Sequence, residues 1–279
     1  MSEKNDQNCN HVCEGCSVEG CGSRENMDLH VSLNDRSKVN KTIAIISGKG
    51  GVGKSMVTSL LASSIQKKGY RSAVLDGDIT GPSQAKAFGL HDKAVSDGEL
   101  IYPMTSQSGV QVISTNMLLE DESQPVIWRG PMVAGILKQF YTDVYWDNVD
   151  YMFIDMPPGT SDVPLTLFQS IPLDGIIIVT SPQDLVSNVV EKAINMALTM
   201  DIPILGIVEN MSYIKCPTCD EIISVFGKSH TFELANKFNL ELLAKLPIDS
   251  SVTDLIDQGR VDEVNVEEIN DVVEKIISL

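Results

Sequence analysis

Cysteine is missing from the long middle of this chain: none occurs between Gly22 and Lys215. That excludes a disulfide framework spread through the fold, and six cysteines crowded near two places favour metal or redox chemistry in a reducing compartment. Basic residues are scarce, with 21 Lys and Arg against 38 Asp and Glu and a net charge of −17. A general nucleic-acid or anionic-lipid surface needs a basic face, so neither nucleic acid nor membrane is expected as a partner. No apolar run approaches the ~18 residues of a membrane span. The opening MSEKNDQ has no apolar core of the kind a secretory signal needs. A cytoplasmic protein is expected. The 43% of hydrophobic residues allow a large core, and the 279-residue length suits one α/β domain or two smaller ones.

What is present centres on Lys41 to Ser64, KTIAIISGKGGVGKSMVTSLLASS. Ile43 to Ile46 form a short β-branched run that reads as a buried strand. Val57, Leu60, Leu61 and Ile65 then recur at helical spacing. Between them lies G-x-x-x-x-G-K-S, and strand, glycine loop, helix is the setting of a phosphate-binding P-loop. Glycines let the backbone approach phosphate closely, and the loop amides form an anion nest at a helix N-terminus. The nucleotide-binding set is Gly48, Gly50, Gly51, Val52, Gly53, Lys54, Ser55 and Met56, with Lys54 reaching the β- and γ-phosphates and the Ser55 hydroxyl offered to Mg²⁺.

Downstream, a strand over Arg71–Leu75 runs into Asp76-Gly77-Asp78, where one carboxylate can hold Mg²⁺ and the other orient water. Strands are expected at Glu99–Tyr102 and Val110–Ser114, either side of a turn at Ser106–Gly109, and a helix over Met132–Phe140 after Trp128 and Arg129. Tyr151 to Ile154 ending in Asp155 reads as a Walker B strand whose Asp supports Mg²⁺. Further elements follow: a strand over Ile176–Val179, a helix over Gln183–Met200 with Val186 on its buried face, and a strand over Leu205–Val208. The last three are a helix over Thr231–Asn239, a strand over Leu242–Leu246 and a helix over Val266–Ser278. The fold class is α/β: a mostly parallel twisted sheet flanked by helices, with a Cys-rich N-terminal extension. Residues 1–40 read as metal-binding tail and linker, the linker from residue 22, and 41–279 as the ATPase domain.

The tail carries Cys9, Cys13, Cys16 and Cys21 as C-x₃-C-x₂-C-x₄-C. Four thiolates suit zinc or an iron–sulfur cluster, and spacing does not choose. Cys216 and Cys219 form a lone C-x₂-C. Two ligands are half of a closed site, so the pair is either a redox dithiol or one of two pairs donated across a twofold axis.

Lys49, directly after the first loop glycine, resembles the deviant Walker A lysine of the MinD/ParA/nitrogenase-reductase group. LDGDITGPS at 75–83, DMPPGTSD at 155–162, VENMS at 208–212 and CPTC at 216–219 narrow the resemblance to Mrp/ApbC iron–sulfur cluster carriers, including the Nbp type, over about Lys41 to Pro247. The resemblance implies an ATP-dependent, weakly hydrolysing homodimer with a 4Fe–4S cluster held by Cys216 and Cys219 of both copies. The cluster would come from assembly scaffolds and pass to apo-proteins. It also implies Lys49 acting in trans, Asp78 orienting water, Asp76 and Asp155 serving Mg²⁺, and Asn210 contacting adenine. The N-terminal cysteines resemble the extra cluster site of Nbp-type members, but with a shorter gap after Cys9 and one residue fewer before Cys21. Rival readings are a MinD/ParA-like positioning ATPase and a zinc-stabilised nucleotide-binding scaffold.

Overall fold

Strand β1 (Val39–Ser47) enters the middle of a sheet, and its run from Ile43 to Ile46 is buried on both faces, as a central parallel strand requires. The computed structural model describes residues 30–79, 81–118, 130–160, 162–183 and 187–279. Cys9, Cys13, Cys16 and Cys21 lie outside the described residues, as do Trp128, Arg129 and Val186. Helix α1 (Lys54–Lys67) packs Val57, Leu60, Leu61 and Ile65 onto the sheet and stops at Gly69, whose φ of 90° few other residues tolerate. Next come β2 (Ser72–Asp76), α2 (Gln84–Ala87), β3 (Val95–Ser96), β4 (Ile101–Tyr102), β5 (Met104–Thr105) and β6 (Gln111–Ile113). They are followed by α3 (Gly130–Thr142), β7 (Val149–Asp155), α4 (Asp162–Ser170), β8 (Gly175–Thr180), α5 (Ser187–Thr199), β9 (Ile204–Lys215) and β10 (Ile222–Ile223). The chain closes with α6 (Thr231–Lys237), β11 (Leu242–Pro247), α7 (Ser250–Asp257) and α8 (Asn270–Ile277).

Among the described residues the main sheet has nine strands. Its order is β9-β8-β1-β7-β2-β6-β5, with β11 parallel to β9, and only β5 and β10 run antiparallel. β1 lies between β7 and β8, so the chain reverses direction across the sheet beside the P-loop, the usual place for a ligand in such sheets. The β2–β7 pairing sets Asp76 directly opposite Asp155. Both carboxylates therefore leave the sheet side by side at its carboxyl end.

Four local differences from the sequence expectation have physical causes. The Ser106–Gly109 turn joins β5 to β6, whereas β4 pairs with β3, because Pro103 interrupts the run and splits it in two. Helix α7 was missed although its start signal is present: the Asp249 carboxylate caps it, accepting from the Ser251 amide at 2.8 Å. The final helix begins at Asn270, after a 3₁₀ turn over Glu267–Ile269. The stretch ahead of β1 is not a free linker throughout. The Val31 amide donates to Ser170 at 2.7 Å, and the Asn34 side chain donates to the carbonyls of Thr142 and Val144 at 2.7 and 2.9 Å.

Candidate nucleotide and thiol sites

Gly51 and Gly53 sit at φ of 81° and 79°, so the loop turns through left-handed backbone just before α1. A Cβ at Gly48 would come 2.9 Å from the Val189 backbone of α5, and one at Gly53 would overlap the Asn210 amide nitrogen. That nitrogen donates to the Val52 carbonyl at 2.9 Å. Gly53→Ala should therefore cost about 1–3 kcal/mol of stability, from left-handed backbone plus a displaced Asn210, and weaken nucleotide binding. Urea unfolding and a nucleotide titration check both effects.

The Lys54 ammonium is buried and ion-paired with Asp155, itself fully buried. Asp155 also accepts from Thr58 at 3.3 Å and from the Gln84 amide group at 2.8 Å. Gln84 reaches on to the Ser55 carbonyl at 3.0 Å. Asp76 accepts from the Ser83 and Gln84 amides at 3.1 Å each and from the Ser114 hydroxyl at 3.0 Å. Burial first, and then the neighbouring Asp155, push the Asp76 carboxyl up to about 7, against the pull of these donors and of Lys54. Two carboxylates opposite one lysine leave an excess of negative charge at the end of the P-loop, which suits a divalent cation. The Ser55 hydroxyl adjoins Lys54 at 3.5 Å, and the donor set of a hydroxyl and carboxylates is of the hard oxygen type Mg²⁺ takes. Asp78 is half-buried on the following turn, its amide 3.3 Å from an Asp76 oxygen. Lys49 leaves the loop outward, and its ammonium donates to Gln183 at 2.6 Å.

A cavity of about 630 Å³ flanks α1. Met56 and Leu60 wall it on one side, Asn210, Met211 and Tyr213 on another, and Pro247 to Ser250 close it. This volume suits a small ligand, and the mix of apolar wall with a few polar groups is typical of such sites. The Asn210 side-chain oxygen is buried with no hydrogen-bond partner among the described residues.

β9 joins this cavity to the thiols. It does not stop at Val208 but runs twelve residues, through Glu209 and Asn210 to Lys215. Two devices hold the extension. The Ile248 amide donates to Tyr213 at 2.7 Å, and the Tyr213 hydroxyl donates to Glu268 at 2.8 Å. The buried Glu209 carboxylate accepts from Ser212 at 2.6 Å and from Ser229, tying down the segment after β10. Beyond Lys215 the chain makes a tight knuckle: the Asp220 amide donates to Cys216 at 3.0 Å and the Cys216 amide to Glu221 at 2.9 Å. The Thr218 and Cys219 amides and the Cys219 thiol face the Cys216 sulfur and hold its pKa below the usual thiol value. Cys216 is half-buried and also lines the cavity, while Cys219 is exposed. No group of three or more His, Cys, Asp or Glu side chains forms a metal cage among the described residues, so the pair stands as two ligands only.

The structure thus brings Lys54, Ser55, Asp76, Asp78 and Asp155 together, sets Asn210 behind the loop, and joins Lys49 to Gln183. Gln84, Thr58 and Ser114 were not singled out from sequence. They are ordinary residues with no motif spacing, and only the meeting of α1, α2 and the β6 end gives them a carboxylate to serve.

Residues 38–278 match the ParA family described as NUBPL iron-transfer P-loop NTPase. An iron-sulfur cluster carrier protein of Clostridium perfringens is 43% identical over 260 residues, covering 90% of each chain. One from Pyrococcus horikoshii is 44% identical over 228 residues, covering 78% of this chain and 77% of its own. Among solved structures, an Archaeoglobus fulgidus nucleotide-binding protein in complex with ADP, with Co found in it, superposes with a TM-score of 0.74 at 42% identity. That match covers 83% of this chain and 91% of the other. The cell division protein MinD of Aquifex aeolicus, 18% identical with a TM-score of 0.60 over 86% of this chain and 97% of its own, shares the fold.

Proposed function

We propose a function that starts from one fact: the chain belongs to the NUBPL-type iron-transfer P-loop NTPases, the family of the iron–sulfur cluster carrier proteins. From it we infer an ATP-dependent carrier that holds a 4Fe–4S cluster between two copies of itself and passes it to apo-proteins. The observation that carries this reading is the two-thiol knuckle, where backbone amides lower the pKa of the Cys216 thiol, at the end of the strand that passes Asn210 behind the P-loop. A cluster wants four thiolates, one chain offers two here, and a twofold axis supplies the rest. Ile222, Ile223, Val225 and Phe226 follow the knuckle, each 38% exposed or more. An apolar arm beside the thiols supports a second copy packing there and keeping water from the cargo.

In this reading Asn210 and the cavity take the adenine, and Lys54 trades Asp155 for the β- and γ-phosphates. Ser55, Asp76 and Asp155 hold Mg²⁺, whose charge offsets that of the phosphates. Asp78 orients the attacking water, and Lys49 of each copy reaches the nucleotide of the other. Hydrolysis removes the charge that draws the copies together, and the angle between them changes. The cluster then moves intact as recipient thiolates replace Cys216 and Cys219, with no net electron transfer. The N-terminal cysteines add a second cluster or a zinc.

The test uses a chain with Cys9, Cys13, Cys16 and Cys21 changed to serine, reconstituted anaerobically with iron and sulfide. It should bind about four irons per two chains, give a 4Fe–4S Mössbauer spectrum, and transfer the cluster to an apo-ferredoxin. Phe226→Glu should keep the monomer folded but lower cluster content. Stoichiometric zinc without iron would overturn the reading in favour of a zinc-stabilised scaffold.

A further inference from the structure

Lys49 raises a question that its expected role in trans does not answer: what the side chain does on its own copy. The backbone around it has little freedom. The Ser47 hydroxyl donates to the Lys49 carbonyl at 3.0 Å, and the Gly159 amide donates to the Ser47 carbonyl at 2.9 Å. Gly48 is pressed against Val189 of α5 so closely that no Cβ fits. The loop backbone is therefore held between the 157–159 turn and the start of α5, and the Lys49 side chain leaves it there. Its ammonium has a partner on its own chain. It donates to the side-chain oxygen of Gln183, which follows the buried Ser181 and Pro182 just past β8. Pro182 fixes one backbone dihedral there and so limits where Gln183 can stand.

We propose that Gln183 is a positioning residue that parks Lys49 on its own chain and thereby sets how readily two ATP-loaded copies close on each other. The proposal rests on the trans role of Lys49 given above. The chemistry suits a latch that must open: a neutral amide accepts one hydrogen bond from an exposed ammonium, strong enough to bias the rotamer and weak enough to yield to a triphosphate. A carboxylate in the same place would hold the lysine more tightly, and an alanine would release it. In population terms, the fraction of Lys49 held by Gln183 is subtracted from the fraction competent to bridge.

The experiment uses the full, reduced chain, free of iron and zinc. Sedimentation equilibrium with Mg²⁺ and a non-hydrolysable ATP analogue gives the dimer dissociation constant. Mass spectrometry of nucleotide-free monomer, labelled with an amine-reactive reagent, gives the accessibility of Lys49. Gln183→Glu should raise the constant about two- to fivefold and slow labelling of Lys49, the range expected for an exposed ion pair. Gln183→Ala should lower the constant about two- to threefold and speed labelling by a similar factor. If Lys49→Ala dimerises as the parent does, the trans reading fails and takes this proposal with it. If Lys49→Ala is impaired while both Gln183 variants match the parent, only the latch is overturned. A shifted constant with unchanged Lys49 labelling also overturns it, because Gln183 would then act by another route.

Discussion

A chain carrying both Cys216→Ala and Cys219→Ala should lose the bridging cluster entirely, lose cluster-dependent dimerisation, and transfer nothing from this site. The loss from this site is expected to be complete because no spare ligand adjoins the pair among the described residues. Among the described residues no third His, Cys, Asp or Glu joins the two thiols in a metal-sized group. Each copy would then offer none of the four sulfurs required. The single variants should not be equal halves of this effect. Cys216 is half-buried in a knuckle where two backbone amides stabilise its thiolate, whereas Cys219 is exposed. Cys216→Ala removes the thiol whose pKa the knuckle amides lower and should abolish loading, while Cys219→Ser leaves an oxygen that can retain a labile, partly loaded site. Stability should hardly change in any of them, within about 0.5 kcal/mol, since the knuckle stands out from the core. Iron analysis and analytical ultracentrifugation of anaerobically reconstituted protein, with thermal unfolding as control, measure all three. Full cluster load and transfer in the double variant would remove the carrier reading for this site.

The second large effect separates two lysines five residues apart. Lys54→Ala should abolish tight ATP binding and also destabilise the fold. Its ammonium is buried against Asp155, with Asp76 next to that carboxylate. Removing the cation leaves buried carboxylates uncompensated, a cost of about 3–5 kcal/mol for a broken buried pair, reduced to the extent that one carboxyl takes up a proton. Lys49→Ala should do the opposite. Among the described residues its side chain bonds to exposed Gln183 alone, so stability should move by less than about 0.5 kcal/mol and ATP binding should persist. Hydrolysis should fall by about 10³-fold or more, as expected when a cation supplied in trans to the transferred phosphoryl group is lost. Isothermal titration with ATP, single-turnover hydrolysis and chemical unfolding distinguish the two patterns. Equal loss of ATP affinity in both variants would mean that Lys49 serves its own nucleotide.

Most of the architecture could be read locally. The Ile43–Ile46 run, the glycine loop and the α1 periodicity occupy consecutive residues, and strand β7 ends at Asp155 where its apolar run ends. β9 was truncated at Val208 because Glu209, Asn210 and Ser212 are polar, and polar residues in sequence signal the end of a buried strand. In the structure Glu209 is fully buried yet satisfied by two serine hydroxyls, and the Asn210 side-chain nitrogen is satisfied by the Val52 carbonyl, so the strand continues. The hidden information there was a set of hydrogen-bond partners 3 to 158 residues away.

The sequence by itself determined the phosphate loop, the fold class and the identity of the two thiols, because each is written in neighbouring residues whose conformational preferences act over one turn or one strand. Tertiary structure alone decided that Asp76 faces Asp155, that Gln84 bridges Asp155 to the P-loop helix, and that Lys49 rests on Gln183. It also decided that one strand runs from the cavity beside α1 to Lys215, next to Cys216. These are contacts between distant segments. They arise from the order in which the strands pair and the helices cover them, and no spacing along the chain records that order.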